Sequence, residues 1–534
     1  MRATRRPGLA GTACRTGWAL GAFVLLLASN SLAQQVPEPT NAERLQPANA
    51  VTIATPAAAE ADTEAKTAAS ETEVAPQEDP DDGEWIGPWG EKRSLGAAVG
   101  EVVLINLIVW SYNEYIRGAD FTQVSPRSWW ENISGGFTYD DNHFTTNMFA
   151  HPYHGSLYHS AGRSNGFNYY ESLGFSLFGS LMWECCGETH PPAWNDWIAT
   201  GVGGAAVGES LYRLAGTVLD NTATGSERTW REIGAFALNP VRGVNRLLTG
   251  RSGRVMPNPE QPEDRIPNIM SNRLSAGVRV IGEGESLSDS SEAHGLFQVE
   301  FKFGDEFSSQ RRKAFDIFDL GLQLNFGDKK TLGRLSIRGN LFTTDLKKGG
   351  STQHVFAVEQ EFQYMNNNAF EFGGQMFDAS LHSRFSLSQD WTIRTQVDAI
   401  FMILGAVNSE WAFLANDIPN RERFREYDFG PGVGGRLSAN LSRKGRQVVS
   451  AFYWYQWIDT QNGSNLNGSD AYHIVQLLGL RGIVPIGSKF GIGADAYLFL
   501  RDSHFELFDN THQRVPQVRL YGTWDVALSG GGRH

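Results

Sequence analysis

Five of the twelve histidines in this 534-residue chain (His143, His151, His154, His159 and His190) fall in or beside one apolar stretch. It reads HPYHGSLYHSAGRSNGFNYYESLGFSLFGSLMWECCGE from His151 to Glu188. Ionisable groups among Phe, Leu, Trp and Gly cost free energy unless each is paired or hydrogen-bonded. The stretch is therefore either a satisfied polar network or a site. For catalysis, His151 or His154 would serve as general base, oriented by Glu184, Glu188 or Asp196, and would activate water or one of Ser156, Ser160 and Ser164. For metal binding, His151, His154, Glu184 and Glu188 offer nitrogen and oxygen ligands, but no H-E-x-x-H pair is present and no metal or other cofactor is implied. As structure, Arg163 would pair with the glutamates inside a helical bundle. Tyr153, Tyr158, Arg163, Ser164, Asn165 and Glu209 complete the set as candidate ligand contacts.

The elements that must hold these groups read as helices from Trp85 to about Arg254. Apolar runs start at Ser94-Leu95, at Tyr169 and after Asp196, each too polar or too short for a clear bilayer span. They suit buried helices, or helices lying on or partly in a membrane. Pro152 biases His151 towards an extended backbone, which puts the histidines on a loop or just before a helix. Glu184 and Glu188, four apart, share a helix face, and Asn195 or Asp196 can cap the next helix. The hexapeptide GAAVGE occurs at Gly96–Glu101 and again at Gly204–Glu209. Its glycines, four apart, permit close helix contact, either as two unrelated seams or as a facing pair.

Beyond about Asn268 the period changes to two. GRLSIRGNLF (Gly333–Phe342), HVFAVEQEFQYM (His354–Met365), WTIRTQVDAIFMIL (Trp391–Leu404) and FGIGADAYLFL (Phe490–Leu500) alternate in character, and about twelve such segments follow one another between polar turn clusters. Long, even-numbered strands rich in Gly and aromatics fit a transmembrane β-barrel; strands of a soluble sandwich or propeller are usually shorter. Tyr453, Trp454, Tyr455 and Trp457 would belong to its interfacial girdle. The expected fold class is thus α+β and multidomain, with a helical domain (85–254) ahead of an antiparallel barrel (268–534).

The N-terminus has an export pattern: Arg2, Arg5 and Arg6, an apolar run from Trp18 to Ala28, and Ser31-Leu32-Ala33 as cleavage site, giving a signal peptide over 1–33. Its loss moves the net charge from −13 to about −17 and removes Cys14, leaving Cys185 and Cys186. Adjacent cysteines are poorly placed to bond each other, so no disulfide framework is expected. Residues 34–84, rich in Ala, Glu, Thr and Pro, hold ten acids against Lys66 between Glu60 and Glu84. That composition predicts a disordered spacer, and deletion of Ala57 to Pro76 should leave assembly unchanged. No cluster of Lys and Arg suggests nucleic acid as a partner.

The run N-x-F-x-H-P-Y-x-G-x-x-Y-x-x-A-x-R-S-N-G (Asn147–Gly166), W-E-x-x-x-E (Trp183–Glu188) and D-x-x-x-T-x-x-G-G-x-x-x-G-E (Asp196–Glu209) resemble a bacterial envelope family known as a domain of unknown function of the DUF3943 type. The resemblance covers roughly residues 125–221. It implies an exported envelope protein and no particular activity; Asn195 stands where that family usually has Ser. A remote similarity to VanZ-like membrane proteins rests on the order His, Glu, Asp, Gly-x-x-x-Gly. The expectation is an outer-membrane barrel, inserted by the barrel-assembly machinery, whose periplasmic or luminal helical domain binds or positions an envelope lipid. The alternative is a hydrolase-like enzyme acting on phospholipid or lipopolysaccharide through the His/Glu/Asp cluster.

Overall fold

The computed structural model describes residues 87–527 apart from 262–263, 268–269, 283–286, 288–291, 309–312, 328–329, 368–370, 412–424, 461–463 and 465–468. The signal peptide and the acidic spacer lie outside the described residues.

Local capping sets the helices. α1 (Leu95–Tyr112) starts at Ser94, whose side chain accepts from Ala97 N. α2 (Pro126–Gly135) has a Ser125/Ser128 capping box and Pro126 in its first turn. α3 (His151–Ser164) and α4 (Tyr169–Met182) follow, α4 capped reciprocally by Asn168 and Glu171. Next come α5 (Trp194–Ile198), α6 (Gly204–Val218), α7 (Gly225–Leu238) and α8 (Pro240–Leu248). Three wide, five-residue turns, Thr146–Ala150, Trp183–Gly187 and Ala199–Gly203, adjoin α3, α4 and α6 and change the facing of the side chains beside them.

Twelve strands, β1 (Met270–Ile281), β2 (Glu292–Phe303), β3 (Phe318–Phe326), β4 (Leu332–Lys347), β5 (Thr352–Asn366), β6 (Glu371–Ser386), β7 (Trp391–Asn408), β8 (Tyr427–Arg443), β9 (Arg446–Thr460), β10 (Ala471–Ile486), β11 (Phe490–Phe505) and β12 (Thr511–Ala527), form a closed antiparallel barrel. β1 closes on β12 with Leu274 opposite Trp524. The two ends differ. One carries mostly tight connections, such as the Lys444-Gly445 turn between β8 and β9, where both residues have positive φ and match the twist of a hairpin, with the longer segment 304–317 between β2 and β3 as the exception. The other carries longer ones, residues 409–426 among them. Chain alternation sorts the side chains. Arg338, Glu361, Asp398 and Arg436 meet inside, with Arg436 Nη2 2.6 Å from Glu361 Oε1. Phe401, Val433, Leu437, Leu480, Ile492 and Leu520 point outward and are exposed.

The lumen is filled unevenly. Towards the turn end it widens into a cavity of about 1110 Å³ lined by Arg273, Glu300, Lys302, Arg338 and Arg481 among others. Towards the loop end Phe372, Met376, Met402, Trp454, Ile458 and Leu477 form an apolar cluster. The Phe372 and Trp454 rings, three strands apart, lie 4.8 Å centre to centre across the interior. Trp454 is thus a plug residue and not part of an outer girdle; Tyr453, Tyr455 and Trp457 have the opposite parity.

The helical region does not occupy the lumen, one of the two placements expected from the sequence. It packs on the outer wall. Tyr427 and Phe429 share the outward parity of Val433 and Leu437, yet both are buried, and they pack with Phe144 and Tyr139. Gln360 Nε2 donates to Val202 O (2.7 Å), Thr145 Oγ1 and Tyr364 OH lie 3.2 Å apart, and Met148 lies against Gly373. One hydrophobic core includes both Leu211, Leu214 and Val218 of α6 and Phe301, Phe318 and Phe362 of the wall.

Candidate functional site

The sequence-derived candidates separate into two groups, held at different levels by α3. Its start carries His151 and His154 inside the helix rather than ahead of it: His151 follows the wide turn Thr146–Ala150 with helical backbone, so Pro152 occupies a first-turn position that needs no N–H. Around His151 gather Asp140, Glu184, Glu188 and Asp196. His151 Nε2 is 3.5 Å from Asp196 Oδ1 and has no hydrogen-bond partner. Asp196 Oδ1 accepts from Asn195 Nδ2 (2.7 Å), and Asn195 Oδ1 accepts from Asp140 N (2.9 Å). Asn195 and Asp196 therefore belong to the cluster and not to a helix cap; α5 starts one residue earlier, at Trp194. Glu184 Oε2 accepts from Ala193 N at 2.8 Å. Asn132 Nδ2 holds the chain below by donating to the carbonyls of Glu184 (3.2 Å) and Glu188 (2.9 Å).

This cluster lies level with the loop-end rim of the barrel. Asn147 Nδ2 bridges Asp140 Oδ1 (2.8 Å) and the hydroxyl of Tyr427, the first residue of β8. Asp140, which lies outside the recognised motifs, was missed from sequence, although its position just ahead of the His-rich run offered a signal. Among the described residues none of the four carboxyls forms an ion pair with a Lys or Arg. Arg163, expected beside the glutamates, is elsewhere. Burial pushes the Glu184 carboxyl up to about 8, opposed by the Ala193 N–H and reinforced by Asp140. Burial, then neighbouring carboxylates, also raises Glu188 and Asp196 well above the usual carboxylate range. Burial lowers His151, with Asp140 opposing. With three raised carboxyls, Glu184, Glu188 and Asp196, close together, protonation of one is coupled to that of the others, and a protonated carboxyl can donate a hydrogen bond. His154 Nε2 lies 2.8 Å from Tyr158 OH, which also bonds Asn106 of α1. Among the described residues no three His, Cys, Asp or Glu side chains converge as a metal site would require.

The far end of α3 belongs to an ionic knot. Glu209, fully buried, meets His159 Nε2 (3.0 Å), Arg163 Nε (2.8 Å) and Arg213 Nε (2.9 Å). Arg213 continues to Asp316 Oδ1 (2.9 Å) and Ala314 O (2.8 Å), just ahead of β3, so the knot ties helices to barrel. Glu209 reaches it because Gly155 and Gly204 let α3 and the α6 segment touch: a Cβ at Gly155 would lie 1.7 Å from Thr200 O. The first GAAVGE copy does not face the second; Gly96 and Gly100 border open space. The two copies are unrelated seams.

The serines supply no nucleophile. Ser156 and Ser160 donate to Tyr153 O (2.5 Å) and Ser156 O (2.7 Å) within their helix. Gly162–Gly166 also reads G-x-S-x-G, but Ser164 ends a helix instead of standing on a strand-to-helix turn. At helical rise it is about 20 Å from His151. Asn165 caps α3 through Nδ2 to Ala161 O (2.9 Å), and Tyr153 is half-buried.

Residues 136–241 match the family described as Domain of unknown function (DUF3943). The match covers α3 to α7 and both polar clusters. No curated protein matches the chain. Similar solved structures include the outer membrane channel DcaP of Acinetobacter baumannii (10% identity, 48% of this chain and 96% of that one, TM-score 0.22). An outer membrane channel from Pseudomonas putida F1 has 10% identity over 51% of this chain and 100% of its own, with a TM-score of 0.23. NanC porin has 6% identity over 47% and 98%, with a TM-score of 0.25. These matches do not support the VanZ-like similarity.

Proposed function

We infer that the protein is an outer-membrane barrel that anchors, at its side, a helical domain whose rim-level pit binds and positions an envelope lipid. The outer-membrane reading is supported by a closed barrel with charges inside and apolar side chains outside. The apolar cluster that packs across the loop end of the lumen favours anchorage over passage. The observation that carries the lipid reading is the cluster beside the wall in which buried Glu184 and Asp196 meet the partly exposed His151, Asp140 and Glu188. Buried polar groups without mutual countercharge are costly and are kept where a ligand uses them. Their chemistry suits a head group rich in hydroxyl or ammonium donors.

A second reading rests on the pairing of His151 with Asp196, which is the arrangement of a base and its orienting acid and could activate water. Mass spectrometry of lipid retained by the purified protein, with envelope lipid profiles from the same cells, tests both. Asp196→Asn should reduce retained lipid several-fold while the barrel stays folded. Unchanged retention removes the binding reading, and a lost lipid modification with retention intact establishes the catalytic one.

A further inference from the structure

Part of the outer surface of the helical region is an apolar face. On α1, Leu95, Val103, Leu104, Leu107 and Ile108 are exposed, the last two by 53% and 59%. The polar residues of that helix turn inward and are bonded there: Glu101 accepts from Asn245 Nδ2 (2.7 Å) and Asn106 Nδ2 donates to Gly179 O (3.2 Å). This is inverted amphipathicity, polar inside and apolar outside. With its continuation to Arg117, α1 is long and apolar enough to cross a membrane, and its 18 helical residues rise about 27 Å, close to a bilayer's hydrocarbon thickness. Exposed Phe178 and Leu181 extend the apolar face onto α4. Exposed charge flanks this face: the Arg93–Glu171 pair at one level, Arg127–Glu131 at the other. Trp129, Trp130 and Trp194 stand exposed at the rim level, where interfacial aromatics belong.

We propose that the helical region is embedded in the bilayer beside the barrel, with the outward faces of α1 and α4 in contact with lipid acyl chains. This rests on the outer-membrane reading of the barrel. Its independent support is continuity. The helices cover outward-facing wall residues Phe318, Gln360, Tyr364 and Phe429, while Phe401, Val433 and Leu480 on the uncovered wall remain exposed and apolar. A body seated on the lipid-facing side of a barrel, at strand level, displaces lipid there and presents its own far face in place of the wall. A lipid head group would then reach the rim-level pit laterally, without passing the lumen.

The test is site-directed spin labelling of the full-length protein in phosphatidylethanolamine/phosphatidylglycerol vesicles. Cys185 and Cys186 are replaced by Ser, and single cysteines are placed at Leu107 and Ile108 on α1 and at Leu480 on the wall. Accessibility is read to oxygen, which partitions into acyl chains, and to a water-soluble nickel complex. The expected result is an oxygen-to-nickel ratio at Leu107→Cys and Ile108→Cys as high as at Leu480→Cys. A lipid-like Leu480 with water-like Leu107 and Ile108 overturns the proposal and leaves the barrel reading standing. Water-like values at all three overturn both. Should a labelled variant fail to fold, the label moves to the exposed Leu104 of α1 (Leu104→Cys): a ratio as high as at Leu480→Cys is expected, and a water-like ratio overturns the proposal.

Discussion

Replacing Glu209 with Gln should unfasten the helical region while leaving the barrel closed. The carboxylate touches three potential cations and is fully buried. Its amide isostere keeps the volume and can still accept one hydrogen bond, so packing loss is small and the charge term dominates. Arg163 would lose its ion pair and keep the carbonyl of Phe167, 2.7 Å from Nη1, and the face of the Tyr212 ring, 4.7 Å from Cζ, neither of which supplies a countercharge. Arg213 would keep Asp316 and Ala314 O. One buried guanidinium left without countercharge costs about 3–5 kcal/mol, and the second, half-compensated, adds little. Asp316→Asn gives the internal control: Arg213 retains Glu209 there, so the cost should be nearer 1–3 kcal/mol.

Two observables separate the outcomes in detergent. Helical ellipticity against urea reports the helical region, and heat-modifiable gel mobility reports barrel closure. Glu209→Gln should shift the helical transition to lower urea with the gel shift unchanged, and more than Asp316→Asn does. A Glu209→Gln protein within about 1 kcal/mol of wild type would refute the reasoning, because the knot would then be no more than a set of solvated charges. A larger loss for Asp316→Asn would place the critical contact at the barrel junction instead.

Glu184→Gln should behave in the opposite way. Its carboxyl is raised to about 8 in the folded state, against an ordinary value near 4.5. The folded state thus holds a proton that the unfolded state releases, so this group's stabilisation is present below about pH 4.5 and is lost as pH rises to about 8. Gln mimics the protonated acid, so the variant should gain stability relative to wild type as pH rises from 5 to 8; a constant difference across that range would contradict it. In planar bilayers the wild type should show no steady ion conductance, because the apolar cluster closes the lumen. Trp454→Ala with Phe372→Ala should introduce conductance, and an open wild-type channel would refute the anchorage reading.

Much of the barrel was legible in the sequence because a lipid-facing strand must alternate, and alternation survives in composition. GRLSIRGNLF, HVFAVEQEFQYM and FGIGADAYLFL all fall within the observed strands β4, β5 and β11. Parity also limited the reading. Tyr453, Trp454, Tyr455 and Trp457 look alike as a run, yet one faces the lumen and three do not. Which face a residue joins depends on register, and register becomes visible only when strands pair. The candidate site was legible in kind and not in assignment. His151, Glu184, Glu188 and Asp196 do meet, but Arg163 left them for Glu209, forty-six residues away in sequence. The glycines decided that exchange. Gly155 and Gly204 bring α3 against the start of α6, and this contact delivers Glu209 to one end of α3 while the wide turns deliver Glu184 and Asp196 to the other.

The position of the helical region could not be read from helical periodicity at all. A helix of a soluble domain and one seated between a barrel wall and lipid both show an apolar majority; they differ in where the polar minority points. On α1 that minority includes Glu101 and Asn106, five apart, which bond Asn245 and Gly179 of neighbouring helices. Glu184 and Asp196 are buried by the protein itself, and that burial raises their carboxyls whatever medium lies outside α1. The location of the helices and the chemistry of the cluster are therefore separable. If Leu107 proves to face water, the bilayer placement of the helices falls and the pH dependence of Glu184→Gln stands. A pH-independent Glu184→Gln with a lipid-facing Leu107 would instead refute the burial argument and leave the placement intact.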